Sequence, residues 1–389
     1  MQKFPNSLNY TETNKLPISG MTVPELTAAL KKLPGCENLP SYRAKQIFTW
    51  IKQGSLSFGE MTSLPGTLIK TLNENHTVRG SKIRSRLLAG DGTEKLVLEL
   101  KDGNAIETVL LSADENSREK AEKSCEDAFE KAGRFTACLS TQLGCPMGCV
   151  FCKTGAMGYV RSLDASEIVE QFLFLSDISK EQQTERRLTH IVVMGMGEPL
   201  LNLSALRKAL EILCSPLGFG ISKRKITVST AGIYEGIFDM AENGPETELA
   251  VSITSAREGL RRRLMPGTAN YPLSKLKEAL LAYQKKYRRR ITLEIVLLGG
   301  INTGAEDAHA LIDFTAHLDA KVNLIPWNPV KGLYFEGKKL RQSGQKEITD
   351  FKLMLENGGL TVTRRYRRGG SICGACGQLG GSQSGVILP

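Results

Sequence analysis

Residues 138–155 read CLSTQLGCPMGCVFCKTG and gather Cys138, Cys145, Cys149 and Cys152 in a chain of 389 residues that has nine cysteines. The last three stand at C-x3-C-x2-C spacing on a loop that follows the β-branched run RFTACLS (134–140). A closed structural zinc site needs four ligands, usually as two separated C-x2-C pairs. Here one short loop offers three thiols, and Cys373 with Cys376 could supply a fourth. An iron–sulfur cluster held by three thiolates instead leaves one iron without a protein ligand, and that position can hold a substrate. The spacing and the strand-end position favour the cluster over zinc.

Working outward from this loop, further strands are expected at THIVVMG (189–195), KITVST (225–230), ELAVSIT (248–254), ITLEIVLL (291–298) and KVNLIP (321–326). Helical patterns fall between them, at 164–178 and 203–214 among others. Alternation of this kind predicts an α/β fold with a parallel sheet, either doubly wound or a partial (β/α) barrel of six units. In both, functional groups sit at the C-terminal strand ends. CLSTQLGC, GMGEP, STAG, SITS and PWNP all occupy such positions.

Upstream, residues 22–77 read as helical, with a Thr cap before VPELTAALKKL and a Gly after SYRAKQIFTWIKQ. Residues 83–111 alternate and carry turn signals at GDGT and KDGN, which predicts a β-meander. The charged stretch 112–133, with Cys125, reads as a helical insertion. The expected division is 1–80 (helical accessory unit), 81–133 (meander and insertion), 134–360 (barrel) and 361–389 (C-terminal segment).

Composition bounds the function. Apolar residues make up 41% and charged residues 24%, and no apolar run reaches the roughly 20 residues of a membrane helix. The N-terminal stretch lacks the pattern of a secretory signal. A cytoplasmic location is expected, where clustered thiols serve metals or catalysis more than disulfides. The formal charge is +10, concentrated in SKRK (222–225), LRRRL (260–264), KKYRRR (285–290) and RRYRR (364–368). Such clusters favour a phosphate-bearing partner through counterion release.

Cys145, Cys149 and Cys152, with Phe151 before the last, resemble the cluster loop of radical S-adenosylmethionine (SAM) enzymes. GMGEPLLN (195–202), VSTAG (228–232), LIPWNP (324–329) and ACGQLGG (375–381) are similar to the subgroup of RNA adenine methyltransferases of the RlmN and Cfr type. The resemblance runs from about residue 42 to 381. It implies a TIM-like partial (β/α)6 radical SAM barrel, a 4Fe–4S cluster on Cys145, Cys149 and Cys152, and two SAM molecules per turnover. By resemblance, the first SAM methylates Cys376, and the second yields a 5′-deoxyadenosyl radical that takes hydrogen from the S-methyl group. The resulting carbon radical adds to an adenine ring carbon, and Cys138 resolves the protein–RNA thioether by forming a disulfide with Cys376.

The same resemblance assigns Gly197 and Glu198 to the methionine amine, and Ser229, Ser252 with Ile253 and Thr254, and Asn328 to the rest of SAM. Glu107 matches a general base. Implied partners are 23S rRNA at the peptidyl transferase centre, tRNA at the adenosine 3′ to the anticodon, and an electron donor such as flavodoxin; no membrane is involved and a monomer is expected. The chain departs from the subgroup at SITS (252–255), where the family usually has SLHA, and at RRGGSICG before ACGQL. Carbon 2 of adenine is the expected target, with carbon 8 chemistry of the Cfr type as the alternative. A reading from a different class is a zinc-dependent, non-catalytic RNA-binding protein. Cys36, Cys125, Cys214 and Cys373 have no role in this scheme.

Overall fold

The computed structural model describes residues 15–112, 133–182 and 187–381. Residues 113–132 of the expected insertion, Cys125 among them, lie outside these, while Ser112 ends a strand. Ten strands form one mixed sheet in strictly sequential order. Its antiparallel part comprises β1 (Lys82–Leu88), β2 (Glu94–Glu99) and β3 (Ala105–Ser112), with β3 pairing antiparallel to β4 (Arg134–Cys138). From β4 every neighbour is parallel: β5 (Arg187–Val193), β6 (Ile226–Thr230), β7 (Glu248–Ser252), β8 (Ile291–Leu297), β9 (Ala320–Pro326) and β10 (Thr361–Arg364). Sequential order without a reversal distinguishes a barrel from a doubly wound sheet, which would carry a switch point. The two end strands do not pair, so the barrel is open.

Six principal crossover helices follow β4 to β9: α5 (Ala165–Glu181), α6 (Leu203–Cys214), α7 (Tyr234–Asn243), α9 (Leu273–Tyr287), α10 (Ala305–Thr315) and α11 (Gln345–Asn357). A short α4 (Lys153–Ala156) ends the cysteine loop, and α8 (Glu258–Leu264) follows β7. Strand cores such as Ile191, Val228, Val251, Leu293 and Leu324 are almost fully buried. Each strand therefore delivers its C-terminal end to a fixed place, which is what a site assembled from loops needs.

The meander falls where alternation predicts it, turning at residues 89–93 and 100–104. The N-terminal helices α1 (Val23–Lys31), α2 (Tyr42–Gln53) and α3 (Gly66–Asn75) share the hydrophobic core with the barrel. Thr22 caps α1 as expected, and Glu25 completes a capping box with it. The chain before α1 docks on α5: the buried Glu170 carboxylate accepts from Ser19 Oγ at 2.6 Å and from the backbone N–H of Gly80 and Ser81, each at 2.7 Å.

Candidate active site

The cysteine loop leaves β4 and is held on both sides. Cys145 N–H donates to the Gly158 carbonyl (2.7 Å), Val150 N–H to the Leu264 carbonyl (3.0 Å), and the Trp327 indole to the Phe151 carbonyl (2.8 Å). Gly155 is required here, because a Cβ would lie 2.8 Å from the Cys149 nitrogen. Burial pushes the Cys145 thiol up to about 12 and the Cys149 thiol well above its ordinary value. The charge of Cys152 adds to the rise at both, that of Cys145 adds to the rise at Cys149, and Arg261 opposes the rise at Cys149. Among the described residues no three His, Cys, Asp or Glu side chains converge on one point closely enough for a single metal ion.

The surroundings fit an anionic group. Arg261, in α8, is fully buried, donates to the Ala231 carbonyl (2.7 Å) and the Tyr271 carbonyl (2.9 Å), and has its buried Nε without a partner. Burial lowers its pKa to about 10, which leaves it a cation at neutral pH. LRRRL read from sequence as a surface basic cluster; the structure instead turns its second residue inward behind Cys149. A buried guanidinium behind Cys149 would supply counter-charge to a thiolate cluster on this loop.

GMGEP forms the loop after β5. Gly197 has φ +102°, and a Cβ would lie 2.5 Å from Gln142 Cβ, so only glycine fits. Glu198 N–H donates to Gln142 Oε1 (2.8 Å), while its carboxylate accepts from Leu200 N–H (3.0 Å) and Ala231 N–H (2.6 Å). Burial raises its pKa to about 7 despite these bonds. Its charge acts on Cys145 and Cys149, so the GMGEP loop and the cysteine loop adjoin.

Farther round the barrel mouth, Ser229 donates to Glu294 Oε2 at 3.2 Å, and Ser252 is half-buried at the end of β7. Ile253 is core. Thr254 adopts φ +57°, unusual for a β-branched residue, with its carbonyl held by Asn302 Nδ2 at 2.7 Å and its buried hydroxyl unpartnered. Strain of that kind persists only where the surroundings over-determine it.

A cavity of about 650 Å³ runs through the barrel, and Cys138, Asn328 and Cys376 line it. Cys138 is buried at the end of β4, and Cys376 is exposed on the cavity wall. Burial pushes their thiols up to about 12 and about 11, and the Cys376 charge acts on Cys138. Arg365, which donates to Glu294 Oε1 (3.4 Å), partly offsets both rises. Both thiols are free. Eight Arg and Lys residues line the cavity against two Glu, and RRYRR supplies four of the eight.

The segment bearing Cys376 is strapped across this mouth. Asn328 Nδ2 donates to the Cys376 carbonyl (3.0 Å), Lys153 N–H to the Gly377 carbonyl (2.8 Å), Thr154 Oγ1 to the Leu379 carbonyl (2.8 Å) and Gln378 Nε2 to the Pro329 carbonyl (2.9 Å). Glu107 is not on the cavity lining. It is buried, paired with Lys95 at 3.3 Å, and accepts from Gly380 N–H at 3.1 Å; Lys95 Nζ also donates to the Cys373 carbonyl at 3.4 Å. The alternating pattern had left Glu107 free to face solvent. Lys95, Gln142 and Glu294 are not singled out by the sequence, and Arg261 and Arg365 only as members of basic clusters; of the first three, Glu294 alone gives a signal, as an acid inside the apolar run ITLEIVLL.

Residues 139–314 match the Radical SAM superfamily. The chain is 44% identical over 366 residues to the probable dual-specificity RNA methyltransferase RlmN of Treponema denticola, covering 94% of this chain and 96% of that one. The chain belongs to the RlmN family of radical SAM RNA methyltransferases. The same name attaches to a Treponema pallidum relative, 42% identical over 345 residues (89% and 93% covered). A radical SAM methyltransferase from Sphaerobacter thermophilus has a solved structure that superposes with TM-score 0.83 at 34% identity, covering 94% of this chain and 99% of that one. Membership in the RlmN family carries SAM dependence and a 4Fe–4S cluster, and makes RNA the substrate class. Among the described residues no helix is long and apolar enough to cross a membrane.

Proposed function

We propose that this protein methylates carbon 2 of an adenosine in the peptidyl transferase centre of 23S rRNA and of the adenosine 3′ to the anticodon in tRNA. The observation that carries this reading is the pair Cys138 and Cys376, two free thiols on one cavity at the barrel mouth. A polar methyl transfer cannot reach an electrophilic ring carbon, whereas a carbon radical tethered to a thiol can. Cys145, Cys149 and Cys152 would hold the cluster, which supplies the electron for reductive cleavage of SAM. Gly197, Glu198, Ser229, Ser252, Ile253 and Thr254 would hold SAM.

The remaining chemistry belongs to the chain. Cys376 accepts a methyl group as a thiolate, and Arg365 beside it favours the ionised form against burial. Its sulfur then carries the methyl-derived carbon to the base. Cys138, as a thiolate, attacks the Cys376 sulfur; the carbon–sulfur bond breaks with its electron pair going to the methylene carbon, which takes up a proton to become the methyl group, and the two cysteines are left as a disulfide. Asn328, which holds the Cys376 carbonyl, positions the thiol; Glu107, expected as a base, is buried off the cavity lining against Lys95 and instead braces the same segment through Gly380 N–H. The basic lining admits RNA phosphates. Residues 1–80 are assigned to RNA recognition, with the meander, barrel and C-terminal segment as the other units. The enzyme is taken to act as a monomer in the cytoplasm, with flavodoxin as electron donor.

Mass spectrometry of nucleosides from rRNA and tRNA tests this, after incubation with cluster-loaded protein, reductant and SAM. The reading predicts new 2-methyladenosine. An 8-methyladenosine product would move the protein to the Cfr type, and SAM cleavage without methylated adenosine would reject the substrate.

A further inference from the structure

Two basic clusters of the sequence, SKRK (222–225) and KKYRRR (285–290), have no part in the chemistry above, and the fold brings them to one end of the barrel. Lys223, Arg224 and Lys225 form the turn that enters β6, and Arg288, Arg289 and Arg290 lead from α9 into β8. Both stand at N-terminal strand ends, whereas the cysteine loop, GMGEP and Asn328 stand at C-terminal ends. Arg134 and Arg187, the first residues of β4 and β5, are paired in register at the same end, and Lys321 is the second residue of β9. The seven residues of β8, at about 3.3 Å each, put on the order of 20 Å of strand between this rim and the mouth that holds the thiols.

The acids at this rim are already taken. Arg289 holds Glu246 at 2.7 Å and also Glu248, and Arg290 holds Asp319 at 2.8 Å. Lys223, Arg224 and Lys225 are exposed, and among the described residues their side chains are in no ion pair. The positive excess is felt at half-buried His190, whose pKa falls to about 4 through burial first and then through the charges of Arg134 and Lys225. The cavity reaches the rim, since Arg224, Lys225, Arg290 and Lys321 are the four lining cations that RRYRR does not supply. Beside them Thr227, Thr292 and Thr361 line a barrel interior that branched apolar residues usually fill. Like charges gathered at one end repel one another, and an anionic partner relieves them. We propose that this rim is a second RNA-contact surface, which holds the sugar–phosphate backbone of a substrate segment remote from the target adenosine. The inference rests on RNA as the substrate class and, for rRNA, on the reading under Proposed function. A short hairpin seated in the mouth has no strand to lay along the opposite end. The rim therefore favours long, folded RNA and acts through affinity, because phosphate contacts position a nucleic acid without reading its sequence.

The test measures binding of cluster-loaded protein to a long 23S rRNA fragment and to the short hairpin that carries the target, over a range of salt. The rim variant Lys223→Gln/Arg224→Gln/Lys225→Gln is compared with wild type and with Lys275→Gln/Lys346→Gln/Lys352→Gln, which loses the same charge from α9 and α11. Arg288→Asn, a change that suits the positive φ there, probes the second cluster. The rim triple should lose about tenfold of the preference for the long fragment over the hairpin, and the control triple should keep it. Its salt slope for the long fragment should be shallower by about two to three, and that of Arg288→Asn by about one. Hairpin affinity, kcat and iron content should match wild type in both rim variants. An unchanged preference in the rim triple, an equal loss in the control triple, or an equal loss of hairpin affinity would each overturn the second surface. Rim-dependent binding of the long fragment that wild type does not methylate would leave the surface standing and overturn the rRNA reading instead.

Discussion

Asn328 Nδ2 lies 3.0 Å from the Cys376 carbonyl oxygen, tying the loop after β9 to the residue that faces Cys138 across the cavity. Because proximity governs reactions between held groups, misplacing this carbonyl by about 1 Å can cost about a hundredfold in rate. Asn328→Ala should lower the methylation rate by about that factor while iron content stays at the wild-type level. Loss of iron together with activity would mean that Asn328 supports the cluster loop.

Lys95 and Glu107 clamp the same segment from the meander side, at the Cys373 carbonyl and the Gly380 N–H. Removing the cation from a buried pair costs about 3 kcal/mol, because a carboxylate stays behind in a low-dielectric site. Lys95→Met should lower the melting temperature and admit protease near residue 370. Adding Glu107→Gln to it should recover part of the stability. A double variant no better than the single one would show that the pair is not coupled.

Arg261 tests the electrostatics of the cluster loop. Arg261→Met keeps most of the buried volume but removes the positive charge that opposes the rise at Cys149. The cluster should become harder to reduce, by tens of millivolts in order of magnitude, in a redox titration followed by electron paramagnetic resonance. An unchanged potential would reduce Arg261 to a brace for the carbonyls of Ala231 and Tyr271.

Glu198 predicts a pH dependence. Its folded-state pKa, about 7, lies above the ordinary 4.5 because burial disfavours the carboxylate. The unfolded chain loses this proton first, so stability falls as pH rises from about 4.5 through about 7 and is level above. Thermal melts without SAM should show that decline in wild type, and a flatter profile from a lower start in Glu198→Gln. Equal slopes would place the titrating group elsewhere.

Much of the architecture was legible in the sequence because β-branched runs and helical patterns alternate, and six parallel strands fall within two or three residues of expectation. The seventh, Thr361–Arg364, was hidden because its short run, TVTR, merges into the arginines of RRYRR; pairing with β9 orders it. Thiol spacing gave the cysteine loop, yet burial is not written in a run of like charges, so Arg261 read as surface. Glu107 shows the same limit. Alternation identifies a face of β3 but not that α5 packs against this strand while the C-terminal segment reaches its carboxylate.

The most direct test of the account is a denaturing gel of Cys138→Ala after incubation with substrate RNA, SAM and reductant. If Cys376 carries the carbon to the base and Cys138 releases it, this variant should accumulate a covalent protein–RNA adduct that Cys376→Ala cannot form. Absence of the adduct with normal release of methylated RNA would contradict the paired roles of these two cysteines.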